Sequence, residues 1–134
     1  MSVTTAEVAE IIRGVSARVV DPGFRRLSPD QIHEKAPGDL VTDLDRQAES
    51  ELSRLLTSAG GGIVVGEESV HDDASVLQEL PTAELAWVID PIDGTKNYVN
   101  GSTHHAVMVA EVQHGVTTRS WICLLYTSDA ADDS

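Results

Sequence analysis

Apolar residues near the start of the chain recur at steps of three and four: Val8, Ile11, Ile12, Val15 and Val19. That spacing places them on one stripe of a helix over residues 4 to 20. Thr4, followed three residues on by Glu7, has the form of a capping box, and Asp21-Pro22-Gly23 stops the element. From Phe24 to Asp39 the periodicity lapses and Pro29, Pro37 and Gly38 interrupt the chain. The stretch reads as a loop, with at most a short irregular strand leading into Leu40-Val41. A second stripe, Leu44, Ala48, Leu52, Leu55 and Leu56, predicts a helix over 43–58 with Thr42 as N-cap and Gly60-Gly61-Gly62 as its end.

Past those glycines the period changes. Ile63-Val64-Val65 and Leu85-Ala86-Trp87-Val88-Ile89 are short apolar runs of buried-strand type. The first ends at Gly66-Glu67-Glu68-Ser69 and the second at Asp90-Pro91-Ile92-Asp93-Gly94-Thr95. Between them, the acidic stretch 70–83 carries at most a short helix around 75–80. Residues 105–112 and 116–122 predict paired strands joined across Gln113-His114-Gly115. Trp87 reads as core and Trp121 as part of that strand pair. Residues 1–122 are expected to form one organised region. Residues 123–134 continue neither a strand nor a helix pattern, and are expected to be a non-native or read-through tail.

Charge narrows the function classes. With 22 acidic residues against 9 Lys and Arg, the net charge is −13. A binder of phosphate backbones needs a basic face that this balance does not supply, so no nucleic-acid partner is expected. Apolar runs such as Ala106 to Ala110 are far shorter than the ~20 residues of a bilayer span, and no membrane partner is expected. The start of the chain shows no secretory pattern, and the single cysteine, Cys123, cannot form an internal disulfide. The expected compartment is the cytoplasm.

Candidate chemistry gathers where strands end. Glu67, Asp90 and Asp93 each fall at or just after the C-terminal end of a predicted strand, where open α/β sheets place ligands. Carboxylate oxygens suit Mg²⁺, Mn²⁺ or Ca²⁺, and no Cys/His set favours zinc. The region lacks the acidic series of an EF-hand loop, so Mg²⁺ fits better. Pro91 fixes φ between the aspartates, letting both face one cation with the Ile92 carbonyl turned toward it. Gly94 allows close backbone approach, and a helix beginning at Thr95 would offer free N–H groups to an anion. Together these imply phosphoryl chemistry by cation-activated water, with no covalent nucleophile. Plainer readings exist. Asp-Pro and Asp-Gly are turn formers, Thr42 is a cap, and Asp45 is a first-turn acid. Lys96 adds potential to the cradle or is simply solvated, His104 and His105 are surface or strand-end residues, and His71 and His114 have no visible partner. A non-catalytic acidic metal-binding module is the reading furthest from an enzyme.

Residues Trp87-Val88-Ile89-Asp90-Pro91-Ile92-Asp93-Gly94-Thr95-Lys96-Asn97-Tyr98 resemble the W-x-I-D-P-I-D-G-T-x-N-[FY] signature of inositol monophosphatases and their relatives. Two further segments fall in the same order. Asp39-Leu40-Val41-Thr42-Asp43-Leu44-Asp45 is similar to the family's D-x-V-T-x-x-D, and Gly66-Glu67-Glu68-Ser69 to its G-E-E-S. The resemblance implies the N-terminal half of the family's sugar-phosphatase fold, an α/β (layered α+β) arrangement with helices packed on a mostly antiparallel sheet. It implies Mg²⁺ held by Glu67, Asp90, Asp93 and the Ile92 carbonyl. Glu67, Thr95 and Asp45 would be the catalytic set, orienting or deprotonating the attacking water. Glu67, Ile92, Asp93, Gly94 and Thr95 would contact the substrate, and Lys35 would help hold a further water or the phosphate. The implied activity is hydrolysis of a small polyol or sugar phosphate, inositol monophosphate first, with histidinol phosphate, fructose bisphosphate or a 3′-phosphonucleotide as alternatives. A homodimer is implied for the whole protein. The family pattern continues to a W-D-x-A-A-G-like segment whose aspartate completes the second metal site. Asp129-Ala130-Ala131 echoes it without the Trp or the Gly, so this stretch alone is expected to be inactive.

Overall fold

Thr4 caps helix α1 (Thr5–Val15): its hydroxyl accepts from the Glu7 amide at 3.1 Å, and the Glu7 carboxylate accepts from the Thr4 amide at 3.2 Å. The structure, a computed structural model, describes residues 3–124. Val8, Ile12 and Val15 carry the buried stripe of α1. The helical backbone runs through residue 20 as expected, and on through Asp21-Pro22-Gly23, but its hydrogen-bond spacing changes after Val15. It widens into a π-helical turn at Ser16–Val20, where consecutive Val19 and Val20 are both buried, and closes in the short α2 (Asp21–Gly23).

The expected loop contains an antiparallel hairpin, β1 (Ile32–Ala36) and β2 (Asp39–Thr42), turning at Pro37-Gly38 with Gly38 at φ 80°. Its inner residues are only half-buried apart from Val41 and Thr42, so no alternation of apolar and polar residues advertised it. Helix α3 (Asp43–Gly60) follows, capped by Thr42 and ended at Gly61, whose φ of 76° suits glycine. Its inward face is Asp45, Ala48, Glu49, Leu52 and Leu56, while Leu44 and Leu55 pack half-buried at the edge of the core.

The main sheet has four strands in the order β3 (Ile63–Gly66), β4 (Ala86–Asp93), β5 (Ala106–Gln113) and β6 (Val116–Leu124). β3 and β4 are parallel, and the other two pairs antiparallel. A parallel pair needs a crossover, supplied by α4 (Glu67–Asp72) and α5 (Val76–Glu79). Strand β4 runs through the acidic motif to Asp93, with its pairing to β5 irregular between Asp90 and Asp93. Pro91, which has no N–H to give a ladder, lies inside that irregularity. Gly94, at φ 86°, then caps α6 (Thr95–Val99). His114 and Gly115, at φ 50° and 80°, make the β5–β6 turn. β6 reaches Leu124, two residues past the expected end, with Cys123 opposite Val107 and Leu124 opposite Ala106. The rest of the expected tail, 125–134, lies outside the described residues.

Trp87 and Ile89 of β4 and Val107 and Val109 of β5 point toward α1 and α3 and join their apolar stripes in one core. The Trp87 indole N–H donates to the Gly61 carbonyl at 2.9 Å, tying the core to the end of α3. On the other face of the sheet, Val88, Met108 and Ala110 are half-buried, and Ile122 and Leu124 of the edge strand are exposed. Among the described residues no helix is long and apolar enough to cross a membrane.

Candidate active site

Four segments distant in sequence converge at one end of the sheet: the β1–β2 hairpin, the start of α3, the β3–α4 junction and the β4–α6 junction. Asp45 is the third residue of α3, so the capping box that starts the helix also orients the carboxylate. Asp45 Oδ2 accepts from the Thr42 amide at 2.8 Å and from the Thr42 hydroxyl at 2.6 Å. Its other oxygen, Oδ1, lies 3.0 Å from the Thr95 hydroxyl, which is also 3.0 Å from the Ile92 carbonyl. Asp45 is buried, and desolvation raises its pKa despite the bonds from Thr42 and Thr95, with the charge of Glu67 adding to the rise.

Asp90 and Asp93 lie on β4 itself and not beyond its end. Asp90 is pushed up to about 7 by burial, by a hydrogen bond with Asp93, and by the charges of Asp93, Glu67 and Asp45. The Ile92 side chain between them is buried, anchoring the segment to the core while its carbonyl faces Thr95. Glu67 opens α4 and is paired with the Lys35 ammonium from β1. Partial burial pulls the Lys35 pKa down, but its bond to Glu67 and the charges of Glu67, Asp39 and Glu68 outweigh this and hold it above its ordinary value. Gly94 must be small for two reasons: its φ is 86°, and a Cβ there would stand 2.8 Å from the His104 carbonyl.

All the residues expected at the site therefore lie at this end of the sheet, but not as a closed cage. Among the described residues no three His, Cys, Asp or Glu side chains are already gathered to hold a metal ion. Glu67 is turned to Lys35, and Asp90 to Asp93. The donor chemistry nevertheless fits a hard divalent cation. It is all carboxylate and carbonyl oxygen, and the burial and neighbouring negative charges that push Asp90 up to about 7 are what a bound divalent charge would offset.

One group at the site escaped the pattern reading. Glu49, one turn beyond Asp45 on α3, is buried and accepts from the Glu68 and Ser69 amides at 3.0 Å each. Burial raises its pKa despite those two bonds. The signal that marks it is an ionisable residue inside an otherwise inward stripe. Ser69 accepts from the Gly66 amide at 2.7 Å and closes the same turn. His105, expected at the surface or a strand end, is buried between the Phe24 and Tyr98 rings, both at 4.9 Å, with Nδ1 donating to the Ser102 carbonyl at 3.0 Å. His104 is exposed.

The chain belongs to the inositol monophosphatase family, whose model matches residues 2–130. It is 33% identical over 108 residues to the fructose-1,6-bisphosphatase/inositol-1-monophosphatase of Aquifex aeolicus, covering 80% of this chain and 38% of that protein. It is 31% identical over 129 residues to the inositol-1-monophosphatase ImpA of Mycolicibacterium smegmatis, covering 96% of this chain and 43% of that one. The fold is that of the Thermotoga maritima IMPase, with a TM-score of 0.70 at 22% identity over 84% of this chain and 41% of that chain. The chain thus spans about two fifths of the length of these relatives.

Proposed function

We propose that this chain carries the metal and water-activating part of a Mg²⁺-dependent phosphomonoesterase acting on a small polyol or sugar phosphate. Inositol monophosphate is the first candidate and fructose bisphosphate the second, the latter favoured by the double name of the Aquifex relative. The observation that carries the reading is the Thr95–Asp45 contact standing beside the acidic segment of β4. Membership of the family supports it.

Glu67, Asp90, Asp93 and the Ile92 carbonyl would hold the cation, which supplies Lewis acidity toward a phosphoryl oxygen and neutralises charge on the leaving group. With its hydrogen directed at Asp45, Thr95 Oγ1 presents lone pairs outward and can take a proton from an attacking water. Asp45 Oδ1 is then the acceptor of the Thr95 proton, and its raised pKa suits that role. The Thr42 bonds hold the carboxylate still while this happens. Gly94, at φ 86°, turns the chain into α6 so that the Thr95 amide would be offered to a phosphate oxygen, and Lys35 adds a positive charge on the hairpin side.

A non-catalytic metal-binding module would have no use for a Thr–Asp relay pointing into the acidic cluster. Hydrolysis of inositol 1-phosphate and of fructose 1,6-bisphosphate by the full-length protein, with and without Mg²⁺, tests the reading. Mg²⁺-dependent release of phosphate is expected. Tight Mg²⁺ binding without turnover of any phosphomonoester would leave the binding module in its place.

A further inference from the structure

Glu49 is 4% exposed, yet its carboxylate is spent on two backbone amides and on no cationic side chain among the ion pairs described. Those amides belong to Glu68 and Ser69, the residues directly after Glu67 in the first turn of α4. The fit around the carboxylate is close. A Cβ on Gly66 would lie 2.6 Å from Glu49 Cδ and under 3 Å from both oxygens. Gly66 has φ −133°, a conformation open to any residue, so glycine is required there by the space Glu49 fills and not by the backbone. Ser69 clamps the same turn from the other side through the Gly66 amide at 2.7 Å.

Hydrogen bonds to a carboxylate are roughly twice as strong as neutral ones, and two of them from adjacent amides leave a turn little freedom. A Leu at this position would pack against the stripe of α3 but leave the two amides unpaired, at a cost in stability alone. The carboxylate does more, because α3 also carries Asp45 four residues earlier. One rigid helix therefore sets the positions of both the proton acceptor, directly, and Glu67, through the α4 turn.

We infer that Glu49 is a positioning residue that fixes Glu67 relative to Asp45, so that the acidic cluster reaches its binding geometry without reorganising α4. The inference rests on the reading of Glu67 as a cation ligand. Partners of this kind typically change metal affinity by about 10- to 100-fold when lost.

Mn²⁺ binding by the full-length protein, followed through the EPR signal of the free ion, tests both steps separately. Glu67→Gln serves as the reference for loss of a ligand. Glu49→Gln keeps the shape but turns an NH₂ group toward one of the two amides, and should weaken Mn²⁺ at least tenfold while the thermal transition stays cooperative. Amide exchange should quicken at Glu68 and Ser69 and stay unchanged in β4. Gly66→Ala reaches the same turn by displacing Glu49, and should weaken Mn²⁺ similarly. In a Glu49→Ala background it should add little, because the clash has gone. Wild-type affinity in Glu49→Gln or Gly66→Ala, with binding still lost in Glu67→Gln, would overturn the role of Glu49 and leave the site intact. Unchanged binding in Glu67→Gln would overturn the ligand assignment and the role of Glu49 with it.

Discussion

Thr95 Oγ1 and Asp45 Oδ1 lie 3.0 Å apart, although the residues are 50 positions apart in the chain. One opens α6 behind the acidic segment of β4, and the other ends the capping box of α3. Under the proposed function, the contact would let the hydroxyl of the first pass a proton to the carboxylate of the second. If the relay carries the water proton, Thr95→Val in the full-length protein should lower kcat by about 10²–10⁴ with little change in KM. Thr95→Ser, which keeps the hydroxyl, should recover most of it. Equal rates for the Val and Ser variants would remove Thr95 from proton transfer.

Glu67 is nearly half exposed and paired with Lys35 at the surface of the cluster, so the fold does not lean on it. Glu67→Gln is expected to leave the melting temperature essentially unchanged and to cut kcat by roughly 10²–10³ through lost electrostatic stabilisation. Turnover near the wild-type level at saturating Mg²⁺ would end its assignment to the site.

How much of this was readable beforehand depends on whether an element's reason to exist is written in its own side chains. The stripe Val8, Ile12, Val15 and the stripe Ala48, Leu52, Leu56 declare α1 and α3, because a helix buries one face and the residues say which. The β1–β2 hairpin declares little, since its strands are half-buried and owe their form to pairing with each other. Helix α4 is six residues long with no buried residue of its own, and it is held by Glu49 and Ser69 from outside the local pattern. The acidic motif was visible as chemistry, yet its place on β4 was not, because Asp90-Pro91-Ile92-Asp93 has the composition of a turn.

The core itself can be weighed at Leu52, which is fully buried between α1 and the sheet. Leu52→Ala should cost about 2–5 kcal/mol, measured by denaturant titration, from lost transfer energy and the residual cavity. A cost below about 1 kcal/mol would mean the helices do not pack on the sheet as described.

His105 gives the fold a pH dependence of definite sign. Burial holds its pKa below the ordinary 6.5, against the opposing bond to the Ser102 carbonyl. The neutral ring is thus favoured in the folded state, and its contribution is full above pH 6.5 and is lost as pH falls through the lowered folded-state value. Asp45, Glu49 and Asp90, with raised values, run the other way, so the difference between wild type and His105→Phe isolates the histidine. The stability of wild type relative to that variant should fall on acidification from pH 7 to pH 5. A parallel pair of curves would mean the ring is not neutral and buried.

Among the described residues, the outer face of the sheet ends in an edge strand whose Val116, Ile122 and Leu124 are 63%, 63% and 61% exposed. Exposed apolar side chains on an unpaired strand edge favour association of one sheet with another. The 134-residue chain expressed alone is therefore expected to self-associate in a concentration-dependent way. Ile122→Lys should shift it toward the monomer, since a charge on an edge strand blocks edge-to-edge pairing, and as a surface change it should move stability by no more than about 0.5 kcal/mol. Sedimentation velocity of the two chains at matched concentrations decides the point. Unchanged association in Ile122→Lys would move the cause away from β6, and a loss of the folded state would show that Ile122 is buried in the protein as it exists in solution.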